Sequence, residues 1–94
     1  MAQSLHAAFG FAHRFPEMTG DWLRDSQFVV AVAVPDEDAL IKMRIAADAL
    51  EIENHLWHEP DLNNQATALA LAPVPMSMKL CSSLPLAGKE KVPL

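Results

Sequence analysis

The chain has no tyrosine, one cysteine and three glycines in 94 residues, and each shortage excludes something. A single thiol, Cys81, rules out an intramolecular disulfide and any cysteine-rich zinc module, and it suits a reducing, cytoplasmic setting. Cys81 itself reads as a small apolar side chain rather than a nucleophile. Gly10, Gly20 and Gly88 lie too far apart to form a phosphate-cradling loop. No apolar run approaches the ~18 residues of a membrane span, and no basic-then-apolar leader opens the chain, so no membrane association is expected. None of Ser4, Ser26, Ser77, Ser82 and Ser83 sits in the Gly-x-Ser-x-Gly pattern of a nucleophile elbow. Basic residues are also scarce. Seven Lys and Arg face twelve Asp and Glu, giving a net charge of −5, which counts against a broad phosphate-binding surface. The acids concentrate in residues 35–61, so a polyanion would have to approach through the two ends of the chain.

What remains is an alternation of helical and strand-like segments in one small domain, 51% apolar. Residues 2–15 carry Leu5, Ala8, Phe9, Ala12 and Phe15 at helical spacing, with Gln3, His6, Gly10 and His13 on the other face. This predicts a helix that buries the Leu5–Phe9–Phe15 stripe and stops before Pro16. Gly10 inside it predicts close backbone packing. Residues 19–25 read as a short helical turn capped by Thr19 or Asp21. Residues 27–34, apolar and β-branched without alternation, predict a strand covered on both faces. Pro35-Asp36-Glu37-Asp38 opens a further helix with acids in its first turn and a buried stripe of Leu40, Met43, Ala47 and Leu50. Residues 53–58 and 66–72 predict two more strands, the first of them parallel to 27–34 through a right-handed crossover. From Pro73 onward, four of the seven prolines predict an extended wrap, with one edge strand over 78–82. The fold class is therefore α/β, a small mixed β-sheet flanked by helices in three layers, with its core in residues 2–72. A doubly covered strand in so thin a sheet needs one more neighbour, so a strand is expected to be missing in front of the first helix.

His55-Leu56-Trp57-His58-Glu59-Pro60-Asp61 gathers two imidazoles and two carboxylates. A divalent ion held by His55, His58 and Asp61 is one reading, but His55 and His58 point to opposite faces of a strand. The neutral reading is that they flank a buried Trp57, and no metal or cofactor is expected. The polar run 59–65 is longer than a tight hairpin needs. Its plain role is a turn in which Asp61 and Asn63 fold back on the backbone. Its functional role places Asp61 at a strand end as a general base, with Thr67 on the next strand sharing the pocket.

Ala2-Gln3-Ser4-Leu5-His6-Ala7 resembles the Ala-Gln-x-x-His-Ala helix start of the second class of peptidyl-tRNA hydrolases, the archaeal and eukaryotic type. Thr67-Ala68-Leu69-Ala70-Leu71-Ala72-Pro73 is similar to that family's late strand, and Glu59-Pro60-Asp61-Leu62 and Leu84-Pro85-Leu86-Ala87 to its shorter bacterial and phage-type relatives. The resemblance implies a mixed four-stranded sheet flanked by helices and hydrolysis of the ester joining a peptide to the tRNA 3′ end. By resemblance, Gln3 and His6 occupy the family's polar helix positions, Asp61 its water-activating aspartate and Thr67 the threonine of the following strand. The partner implied is peptidyl-tRNA.

The family's first strand, and the Gly-Lys that precedes its Ala-Gln, would fall before Met1. Without that lysine the chain alone is expected to hydrolyse slowly, since one missing oxyanion partner typically costs about 10²–10³-fold. The competing function is a non-catalytic relative, or a truncated fragment, serving as an interaction module. A homodimer in which a second copy supplies the missing strand would accompany it.

Overall fold

A computed structural model describes residues 2–27 and 32–85. Four helices, α1 (Ala2–Arg14), α2 (Pro16–Arg24), α3 (Glu37–Ala49) and α4 (Pro75–Cys81), surround a hairpin of β1 (Asn54–Glu59) and β2 (Gln65–Leu71). The hairpin is antiparallel, pairing Asn54 with Leu71 and Trp57 with Ala68. Alternation along β1 sends His55, Trp57 and Glu59 to α1 and Asn54 to α3, where its amide donates to Asp48 Oδ1 at 2.8 Å. Helices thus cover both faces of the sheet, the three-layer α/β arrangement expected. Half of the expected strand 27–34, residues 28–31, lies outside the described residues, and its parallel pairing with it.

α3 starts and ends by identifiable means. Asp36 caps it by accepting from the Ala39 N–H at 2.9 Å, and Glu37 and Asp38 complement the dipole in the first turn. At the other end Glu51 adopts a left-handed φ of 57°, Glu51 N–H donates to Asp48 O, and Ile52 N–H donates to Ala47 O. That pair of bonds is a Schellman ending. It tucks Ile52 against Ala47 in the core cluster with Phe11 and Ala72. Leu40 and Ala47 are buried as expected, whereas Met43 is only half-buried and Leu50 is exposed, because Leu50 is the cap residue where the chain leaves the helix.

Three expectations are corrected. First, α1 docks through the opposite face. Leu5 and Phe9 are 52% and 72% exposed, whereas Ala7 and Phe11 are buried. Both faces of this helix are apolar enough to be buried, and the small one wins. Ala7 and Gly10 let the helix lie close on the sheet, so close that a Cβ on Gly10 would stand 2.3 Å from His55 Nε2. Burial first, then the nearby Arg14 and Arg44 guanidiniums and His58, hold His55 below its usual pKa, so a neutral ring fills this contact.

Second, residues 19–25 are not an isolated turn capped by Thr19 or Asp21. The helix begins at Pro16, whose fixed φ and missing N–H suit a first helical position. Thr19 lies inside it and donates to Phe15 O at 2.9 Å, and Asp21 pairs with Arg24.

Third, residues 75–81 form a helix where extended chain and an edge strand were expected. Pro75 again stands at the first helical position, and the Ser77 hydroxyl donates to Ala72 O at 2.7 Å. Proline density marked helix starts here, not extended chain.

Gly10→Ala should lower stability by about 1 kcal/mol, as overpacking against His55 outweighs the helix propensity gained. In a His55→Ala background the same change should raise stability by about 1 kcal/mol. Urea unfolding of the four proteins checks this; equal effects in both backgrounds would contradict the packing.

Candidate active site

The first two turns of α1 meet the closed end of the hairpin. Gln3 and His6, three residues apart, share one side of the helix and reach the sheet together. Across from them β2 carries a bulge. Trp57 pairs with Ala68 and His58 with Ala66, so Thr67 is the extra residue. A bulge re-aims the side chain that it carries. Here the Thr67 hydroxyl donates to Gln3 Oε1 at 2.8 Å, joining residues 64 positions apart.

The Gln3 amide nitrogen in turn donates to the carboxylate of Glu59, at the end of β1. That carboxylate is buried, with the residue only 9% exposed. Its Oε2 accepts from the Asp61 backbone N–H at 3.3 Å. Its Oε1 lies 3.4 Å from Trp57 Nε1 and 3.8 Å from His6 Nδ1. The Asp61 N–H first, then the Gln3 amide, with Trp57 and His6 adding, hold the Glu59 carboxyl below its usual range against the opposing effect of burial. Glu59 is therefore an anion at neutral pH and a weak proton acceptor. The His6 ring rests on Trp57, centroids 4.7 Å apart and tilted by 45°, and its side chain stays 47% exposed.

Of the four site residues read from the sequence, Gln3, His6 and Thr67 converge. Asp61 sits beside them in a 3-10 turn (Pro60–Leu62), with its backbone N–H directed into the cluster. Its own side chain is exposed and accepts no hydrogen bond among the described residues. The backbone-capping role expected of Asp61 falls to Glu59 instead. Asn63 and Asn64, with φ of 55° and 61°, close the loop in the left-handed region that asparagine tolerates, and Asn64 N–H returns to Glu59 O at 3.0 Å. Glu59 and Trp57 were missed as site residues. The signal was present in the two-residue alternation that puts both on the α1 side of the sheet with His55.

The alternative metal site does not assemble. His55 is packed against Gly10 and His58 is exposed, and among the described residues no three His, Cys, Asp or Glu side chains are grouped to hold an ion. Cys81 is half-buried, and burial raises its thiol pKa, so it is a poor nucleophile. No helix among the described residues is long and apolar enough to cross a membrane.

The model of the family Peptidyl-tRNA hydrolase PTH2 matches residues 1–84. The chain belongs to this family. No curated protein and no solved structure gives a significant match. Membership in the peptidyl-tRNA hydrolase family supports a hydrolase-like function connected with translation, and the matched span includes every residue of the cluster from Gln3 to Thr67.

Because the Asp61 carboxylate is exposed and bonded to nothing described, Asp61→Asn should change unfolding free energy by less than about 0.5 kcal/mol. A loss of 1–2 kcal/mol in denaturant unfolding would show that this side chain ties the loop.

Proposed function

We propose that the chain hydrolyses the ester between a peptide and the 3′ end of tRNA, using a water activated in the cluster of Gln3, His6, Glu59 and Thr67. The observation that carries this reading is the Thr67–Gln3 hydrogen bond, which brings the start of α1 onto the hairpin bulge. Ester hydrolysis needs an oriented water, a group to take its proton and donors for the tetrahedral oxyanion. His6 reaches solvent at the edge of the cluster, and the Gln3 amide supplies a polar hydrogen beside it while the Thr67 hydroxyl holds Gln3 in place by donating to its Oε1. Asp61 stands at the mouth, where its carboxylate would meet the substrate. No metal is required of these residues.

The site opens on the α1 side of the hairpin, where His6 is half-exposed. The acids of the first turn of α3 belong to the other layer, across the sheet from α1. Glu37 is further engaged, accepting from the Ala66 N–H at 2.7 Å. The tRNA end would thus meet the α1 and hairpin surface, and the reaction would take place in the cytoplasm, where a single reduced cysteine is at home.

The test is single-turnover release of peptide from an N-blocked aminoacyl-tRNA with protein in excess, so that slow catalysis is still read. The expected result is release above the uncatalysed rate, reduced about 10-fold or more in Thr67→Val, which loses the hydroxyl but keeps the shape. Release no faster than in buffer would favour the non-catalytic reading.

A further inference from the structure

Among the carboxylates near the cluster, only Glu59 is aimed at an imidazole. Its Oε1 faces His6 Nδ1 at 3.8 Å, within ion-pair reach though longer than a closed hydrogen bond. Catalytic contacts often stand this loose before substrate binds. Trp57 packs on the His6 ring and fixes its plane, while Glu59 is itself held by the Asp61 N–H, the Gln3 amide and the Trp57 indole. Glu59 is therefore a fixed buried acceptor, and His6 is the half-exposed group that it addresses.

We propose that Glu59 is a positioning residue that holds the His6 imidazole with its proton on Nδ1, leaving Nε2 free to act as the general base of the reaction. This rests on the ester-hydrolysis reading above and assigns the proton acceptor within it to His6 rather than Asp61. An imidazole exchanges protons around neutrality, which suits this task better than an ordinary exposed carboxylate does.

A water oxygen forms a bond to the ester carbonyl carbon while its proton passes to His6 Nε2, and the carbonyl electron pair moves onto oxygen. The tetrahedral species collapses, the bond from carbon to the ribose 3′ oxygen breaks, and the imidazolium returns its proton to that oxygen. One water is consumed, and a free peptide acid and a tRNA hydroxyl are produced. Glu59 stays ionised throughout and stabilises the imidazolium, the part a buried carboxylate plays behind a catalytic histidine elsewhere.

Two measurements on the full chain test this. Long-range ¹H–¹⁵N spectra of the wild-type protein at mildly alkaline pH should show the Nδ1–H tautomer of His6. Glu59→Gln, near-isosteric but uncharged, should lower kcat about 100-fold with KM within twofold. An Nε2–H tautomer in the wild type overturns the proposal, whatever the variant does. Wild-type turnover with an unchanged kcat in Glu59→Gln overturns it as well. If the wild type releases no peptide while His6 keeps its Nδ1 proton, the ester reading falls and the base role falls with it. Glu59 would then remain the group that orients His6.

Discussion

The close approach of α1 to the hairpin is the constraint on which the rest of the structure depends. It is made by absence of side chain as much as by contact. Ala7 and Gly10 remove the bulk that would hold the helix away, and the His55 imidazole occupies the space that a Cβ at Gly10 would need. At the next turn inward Phe11 supplies the large buried side chain of this layer, packed with Ala47, Ile52 and Ala72. Most of the remaining buried apolar residues are alanines, so the core gains its stability from closeness rather than volume. A helix seated this near the sheet can place short polar side chains against it. Gln3 reaches Thr67 and Glu59 for that reason.

The polar cluster repeats this logic. Glu59 is a buried charge, costly unless its lone pairs are engaged. Backbone, amide and indole donors surround it, and His6 stands at the side open to solvent. The bulge at Thr67 and the left-handed pair Asn63 and Asn64 are the two irregularities of the hairpin, and both serve this end of it. One turns a hydroxyl toward Gln3. The other closes the loop so that the Asp61 N–H reaches Glu59.

Much of this was legible in the sequence, and the failures have physical causes. The acids after Pro35 and the apolar stripe behind them placed α3, and alternation placed β1 and β2. Close packing at Gly10 followed from a glycine in a helix interior. The docking face of α1 did not follow from hydrophobicity, because periodicity sees that both Leu5–Phe9 and Ala7–Phe11 form stripes and cannot weigh how near a sheet each allows the helix to come. Pro16 and Pro75 were read as stops or extended chain, although proline is as much at home at the first helical position as in a loop. Gln3, His6 and Thr67, the positions that the family resemblance picks out, lie together in the fold. Glu59 was passed over for Asp61, because strand ends and loop starts differ by two residues and only the folded turn shows which carboxylate points inward.

The Gln3–Thr67 hydrogen bond joins α1 to the bulged hairpin and holds the cluster together. A double-mutant cycle on urea unfolding of Gln3→Leu, Thr67→Val and the pair tests it most directly. A coupling of about 0.5–1.5 kcal/mol is expected, since either change alone leaves the other partner unpaired in a half-buried site. Additivity within about 0.3 kcal/mol would contradict the claim and would detach the start of α1 from the site.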